Sequence, residues 1–139
     1  MVLSPAFGGA DAIKKGKDWT HASGKTIANT ELTENPFETK SYAYCSDTAY
    51  FENIIPIVSE VDLLYHEATF SHELYELAQI SGHSTAIQAA EIAKAAKVKK
   101  LLLGHFSSRY KNPEILLNEA KNIFQNTELA NDGDVFSIE

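Results

Sequence analysis

Three histidines, two carboxylates and an arginine fall in four short polar segments: SDT at 46–48, HEATF at 66–70, GHST at 82–85 and GHFSSRY at 104–110. Each could do chemistry. Asp47 follows an aromatic-rich run, and a carboxylate there suits a metal ion or a base, or equally a turn in which it accepts backbone N–H groups. His66-Glu67 is not a zinc-protease pair, because no histidine stands four residues after His66. His66 alone reads as a strand-end histidine bonded to backbone. Glu67, directly after an apolar run, needs a buried partner, and histidine is the natural one because the pair orients one ring nitrogen.

His83 precedes the clearest helix of the chain. A helix N-terminus favours a bound anion, and Gly82 lets backbone approach a ligand closely. The bland reading is an exposed histidine at a helix start. The densest cluster, 104–110, combines a metal-type ligand in His105, two serine hydroxyls and Arg109, whose guanidinium is the side chain best suited to phosphate. Its alternative is a solvated loop. Lys97, Lys99, Lys100 and Lys111 read as a solvated face, and Trp19, His21 and Cys45 as ordinary core or surface residues.

Elements must bring these segments together. Residues 17–20 and 25–28 flank Ser23-Gly24 and predict a short hairpin; 33–40, with Pro36, reads as loop. Strands are expected over 41–46, 61–65 and 99–104, and a last one over 134–138 after a turn at 131–133. Helices are expected over 51–59 (distorted by Pro56), 71–80 and 85–97, the last opened by a capping box of Thr85 and Gln88. Another runs from Asn112 as N-cap and Pro113 as N1 to Phe124. Strands alternating with helices give a parallel or mixed sheet with crossover helices, and ligands of such sheets sit beyond the carboxyl ends of the strands. Three strands end in Asp47, in His66-Glu67 and in His105, so one sheet edge would gather them.

Composition bounds the rest. The chain has 139 residues, 44% hydrophobic and 22% charged, with 12 basic against 19 acidic side chains for a net charge of −7. That is one ordinary α/β domain, with 1–40 as a hairpin-and-loop lead-in and 41–139 as a βαβα core. An acidic chain is not a non-specific nucleic-acid binder. No apolar run approaches the roughly 20 residues that span a bilayer, no segment reads as a signal peptide, and a lone cysteine fits a reducing cytoplasm.

Taken in series, YCSDT (44–48), HEATF (66–70), GHST (82–85) with Ala89-Ala90, and GHFSSRY (104–110) resemble the C-terminal half of ribonuclease Z, the endoribonuclease family that trims tRNA 3′ ends on a metallo-β-lactamase fold. The resemblance runs through 41–139 and continues loosely into 15–27 (KGKDWTHASGKTI). It implies half of an αββα sandwich, a mixed sheet with flanking helices. It also implies roles: Asp47 as the carboxylate bridging two zinc ions, His105 as a further zinc ligand, Glu67 and His83 as a pair behind them with His83 giving a proton to the leaving 3′ oxygen, and Arg109 facing the scissile phosphate.

The family's His-x-His-x-Asp-His metal motif is not in these residues. The expectation is therefore a fragment that is inactive alone and holds zinc weakly, since catalytic zinc takes about three protein ligands per ion. Its partners would be a tRNA precursor and either the N-terminal half or a second copy, with no membrane contact. Inward side chains such as Leu64 and Leu102 would face water until such a partner covers them. Two other readings are a non-catalytic partner-binding module of this fold and another phosphodiesterase of the same superfamily.

Overall fold

The computed structural model describes residues 9–34 and 38–138, which form two compact units, one up to Glu38 and one from Thr39 onward. The first unit begins with helix α1 (Gly9–Lys14) and a hairpin of β1 (Trp19–Thr20) and β2 (Thr26–Ile27), paired antiparallel. The expected hairpin is thus present. Its turn closes through the His21 N–H on the Lys25 carbonyl at 2.8 Å, and Gly24 takes the positive φ of 84° that the turn requires. A single-turn helix, α2 (Asn29–Leu32), follows and was not foreseen. Asn29 ties this unit together: its N–H meets Asp18 Oδ1 at 2.8 Å, and its Nδ2 reaches the carbonyls of Ile13 (2.7 Å) and Lys17 (3.1 Å). Of the expected loop over 33–40, residues 35–37 lie outside the described residues.

The second unit is a four-stranded sheet of β3 (Tyr42–Cys45), β4 (Leu63–Glu67), β5 (Lys100–Gly104) and β6 (Thr127–Leu129), parallel throughout and in chain order. The crossovers carry α3 (Tyr75–Ser81), α4 (Ala86–Ala95) and α5 (Glu114–Lys121). Among the described residues no helix is long and apolar enough to cross a membrane.

Alternation splits the sheet's two faces. Ala43, Cys45, Leu64, His66, Leu101 and Leu103 point to one side, where α4 and α5 cover them. The small residues Ala86, Ala89, Ala90 and Ala93 let α4 lie close to the strands, and Ile92 and Leu116 fill the space between. Thr85 caps α4 with the expected box: its side chain accepts the Gln88 N–H, and the Gln88 side chain accepts the Thr85 N–H at 2.9 Å.

The opposite face carries Tyr42, Tyr44, Leu63, Tyr65, Lys100 and Leu102. Tyr44 stacks on Tyr65 with centroids 4.6 Å apart. Tyr42 and Tyr44 are 52% and 63% exposed, so this face is open along β3. Leu64 and Leu102 are nevertheless buried, at 0% and 3% exposure, contrary to expectation. Leu64 belongs to the helix-covered face, while Leu102 shares a cleft with Tyr42, Leu63, Phe136 and Ile138 of the chain's last described segment.

Several boundaries moved. Residues 51–59 form only a 3-10 turn at Glu52–Ile54 followed by irregular turns, because Pro56 has no N–H to continue a helix. The helix expected over 71–80 is a 3-10 turn, His72–Leu74, running into α3. Helix α5 starts at Glu114, whose N–H the Asn112 side chain accepts at 3.0 Å. Strand β4 lies two residues later than expected, which puts His66 and Glu67 inside the sheet. Residues 134–138 are not a strand. The last strand is instead β6, ahead of the turn in which Asp134 accepts the Asn131 N–H at 2.9 Å.

Candidate metal centre

The carboxyl ends of β3, β4 and β5 lie side by side, with Cys45 opposite His66 and Glu67 opposite Gly104. Asp47 and His105 stand just beyond β3 and β5, and both take the left-handed backbone, at φ 55° and 58°. That conformation is uncommon for residues with a side chain and recurs at functional sites. Here it turns the chain sharply at the ends of the two strands that flank β4.

Asp47, Glu67, His83 and His105 each offer one ligand atom to a cluster whose members all lie within 4.8 Å of one another. The four do not have equal freedom. Glu67 is wholly buried and its carboxylate is saturated. Oε1 accepts the Thr48 N–H at 2.8 Å and His83 Nδ1 at 2.9 Å. Oε2 accepts the Thr69 hydroxyl at 2.7 Å and the N–H groups of Thr69 and Ser84 at 3.1 Å. Burial alone would raise its pKa; the donors from Thr69, His83, Ser84 and Thr48 outweigh burial and hold it below the ordinary carboxylate value. Glu67 is therefore an ionised organiser whose lone pairs are already used.

Asp47 is three-quarters exposed, with its Oδ1 3.6 Å from His83 Nδ1. The His83 and His105 rings lie 5.3 Å apart. Thr69 sits between them: its hydroxyl oxygen is 3.3 Å from His83 Nδ1 and 3.0 Å from both His105 Nδ1 and the His105 carbonyl. Two open ligands of hard or borderline character, Asp47 and His105, beside a saturated carboxylate are suited to a metal ion but fall short of the roughly three protein ligands that a catalytic zinc takes.

Arg109 lies at the rim. Its guanidinium carbon is 5.5 Å from the Phe70 ring centre, and Nε donates to Ser107 Oγ at 3.2 Å. Phe70 also meets His83 edge-on at 6.0 Å. The loop that carries Arg109 is pinned by the Ser107 N–H on the Thr69 carbonyl at 3.1 Å. Its Tyr110 hydroxyl accepts the Ser71 N–H at 2.9 Å.

The structure thus brings Asp47, Glu67, His83 and His105 into one cluster and holds Arg109 next to it through Phe70. His66 stands apart: it is buried on the helix side, its Nδ1 donates to the Glu67 carbonyl at 2.8 Å, and burial lowers its pKa so that the ring is neutral. Among the described residues its Nε2 has no partner. His72 and His21 are elsewhere, against Tyr75 and Ser23. Sequence reasoning passed over Thr69, Phe70 and Ser84. Their positions after Glu67 and after His83 were visible, but no residue type among them announces a site.

No protein-family model matches the chain. Curated relatives do. It is 50% identical over 127 residues to ribonuclease Z of Phocaeicola vulgatus, across 91% of this chain and 41% of that protein. It is 48% identical over 120 residues to ribonuclease Z of Porphyromonas gingivalis, across 86% and 40%. The chain therefore spans about two fifths of the length of the curated relatives it matches. Among solved structures it superposes on the metallo-β-lactamase fold protein YhfI of Bacillus subtilis with a TM-score of 0.65 at 29% identity, over 70% of this chain and 40% of that one. It superposes on the short form of human tRNase Z with a TM-score of 0.51 at 36% identity, over 68% and 31%. The sheet is accordingly part of a metallo-β-lactamase fold, and the chain matches a part of ribonuclease Z, about two fifths of its length.

Proposed function

We propose that this chain supplies one side of a zinc-dependent endoribonuclease site that matures tRNA 3′ ends by phosphodiester hydrolysis, and that it is inactive without the remainder of the fold. The observation that carries this reading is the cluster of Asp47, Glu67, His83 and His105 at the carboxyl edge of a parallel sheet, in a chain half identical to a ribonuclease Z. Asp47 and His105 are the residues that would hold zinc. Bound there, the metal would supply Lewis acidity toward a phosphodiester.

The chain's own residues do the rest. His83 donates Nδ1–H to Glu67, so its Nε2 carries the proton given to the leaving 3′ oxygen, and the buried carboxylate supports the ring while it is charged. Arg109, exposed and held over Phe70, faces the scissile phosphate. The unit from Thr39 onward supplies about half of an αββα sandwich, working in the cytoplasm on a tRNA precursor. Its other partner is the remaining stretch of the fold or a second copy.

The test is reconstitution. Mixed with or fused to the remaining segment of the Phocaeicola vulgatus ribonuclease Z, the chain should cleave a tRNA precursor with a 3′ trailer in a zinc-dependent manner, and alone it should neither cleave nor hold two zinc ions. In that assembly His83→Ala should slow cleavage by about 10²–10⁴-fold with metal content nearly unchanged, whereas Asp47→Ala should lose metal. Two tight zinc ions on the lone chain, or zinc release by His83→Ala, would refute these assignments.

A second reading is another phosphodiesterase of the superfamily; the better superposition, with YhfI, speaks for the shared metallo-β-lactamase fold alone. Sequence identity of 50% to ribonuclease Z against 29% to YhfI favours the first. The non-catalytic module is the reading left standing if the reconstituted protein binds its partner segment and no zinc.

A further inference from the structure

The hydroxyl of Thr69 has one proton and four polar neighbours. Two of them, Glu67 Oε2 at 2.7 Å and the His105 carbonyl at 3.0 Å, can only accept. The other two are ring nitrogens, His105 Nδ1 at 3.0 Å and His83 Nδ1 at 3.3 Å. The carboxylate is the nearest acceptor and the charged one, so it takes the proton. Whichever oxygen takes it, the hydroxyl turns a lone pair toward His105 Nδ1. A bare Nδ1 would set lone pair against lone pair. A protonated Nδ1 completes the chain of donors.

We infer that Thr69 is a positioning residue that relays Glu67 to His105: the carboxylate accepts from the Thr69 hydroxyl, which accepts from His105 Nδ1–H, leaving His105 Nε2 as the bare nitrogen that meets a metal ion. This rests on the proposal that His105 is a metal ligand. The relay gives one buried carboxylate control of two histidines, His83 directly and His105 through a hydroxyl. Its surroundings suit a fixed proton. Thr69 is 6% exposed, its N–H is on Glu67 Oε2 at 3.1 Å, and its carbonyl holds the Ser107 N–H. The oxygen therefore cannot swing to another partner. Outer partners of this kind fix the tautomer and direction of a ligating imidazole.

The experiment is nitrogen-15 NMR of the imidazoles in the metal-free 139-residue chain, in mildly alkaline buffer. The wild-type chain should carry the His105 proton on Nδ1, and Thr69→Ser should keep it there. Thr69→Val, which preserves shape but not the hydroxyl, should move the proton to Nε2. In the chain joined to the remaining segment of a ribonuclease Z, it should also weaken zinc binding by about 10–100-fold. The wild-type spectrum decides even if Thr69→Val does not fold. A His105 with its proton on Nε2 in the wild type, or unmoved on Nδ1 in a folded Thr69→Val, overturns the relay. A His105 that holds Nδ1–H but whose Nε2 does not respond to zinc once the chain is joined to the remaining segment of a ribonuclease Z overturns instead the metal reading on which the relay rests.

Discussion

Glu67 and His83 meet across 2.9 Å, a wholly buried carboxylate under an imidazole that is 21% exposed. The pair spans the step from sheet to solvent. Glu67 belongs to β4, and His83 to the loop that opens α4, which is tied to the same carboxylate by the Ser84 N–H. One side chain therefore sets the position of a strand end, a helix start and the loop at Thr48.

Glu67→Gln tests how much of the edge depends on that charge. Glutamine keeps the shape but turns an NH₂ toward N–H donors that had an acceptor. Leaving buried donors unsatisfied costs about 1–3 kcal/mol, and breaking the pair with His83 adds to it. A loss near 3 kcal/mol is expected. It should be read as a lower urea midpoint with an unchanged slope, and a variant as stable as wild type would contradict the donor accounting.

Gly104 is required by a ring rather than by a turn. A Cβ at this position would overlap the Tyr65 side chain, which lies across it and stacks on Tyr44. Gly104→Ala should therefore cost about 1–3 kcal/mol, the usual range for overpacking. Combining it with Tyr65→Leu should return part of that loss, because the two sites are in contact and do not add. A double-mutant cycle from chemical denaturation measures the coupling, and strict additivity would mean that the ring simply swings away.

Acid stability has its own device at the opposite edge of the sheet. Asp62 accepts the Ser41 N–H at 2.7 Å and its hydroxyl at 2.8 Å, and Lys99 Nζ stands 2.7 Å from the other oxygen. The Lys99 ammonium first, then the two Ser41 bonds, hold the Asp62 carboxyl far below the usual carboxylate range. A depressed folded pKa gives stability that is present above the unfolded value near 3.9 and is lost as pH falls toward and through the folded one. Asp62→Asn should thus be less stable than wild type at neutral pH, with the difference shrinking below about pH 4. Thermal melts across pH check this; a constant gap would show that Asp62 acts through packing and not through charge.

What could be read from the sequence follows from how local each signal is. The capping box at Thr85 and the hairpin around Gly24 depend on residues a few positions apart, and both are present. The strand-end rule gathered Asp47, Glu67 and His105 because parallel neighbours share an edge whatever their boundaries; it also gathered His66, which turns to the helix side, and it did not reach His83, which joins the cluster from the start of α4. Boundaries were less legible. Val61-Asp62 looked like strand, but the Asp62 side chain is engaged with Ser41 and Lys99, and pairing starts at Leu63. Residues 134–138 alternate like a strand, yet Thr127–Leu129, only three residues long, takes the sheet edge. Thr69 was invisible because its importance lies in four distances to residues as far as 36 positions away.

The open sheet face gives the last prediction. Tyr42 and Tyr44 lie more than half exposed along β3, and Val135 is 93% exposed. Residues 135–138 have no backbone hydrogen bond among the described residues, although Phe136 lies near Lys100, its ring centre 5.8 Å from Nζ, and lines a cleft with Ile138. An open sheet face and a segment without backbone pairing are both surfaces that associate readily. Burying a further 500 Å² or so at about 25 cal/mol per Å² would be worth roughly 12 kcal/mol before the costs of association. The isolated chain should therefore self-associate at micromolar concentration, most simply as a two-fold dimer, and should dissociate when the remaining segment of a ribonuclease Z is supplied. Sedimentation across concentrations tests this. Tyr44→Lys, which places a charge on the exposed face without touching the helix side, should shift the equilibrium toward monomer. A folded wild-type monomer at all concentrations that binds no hydrophobic dye would mean that this face needs no cover.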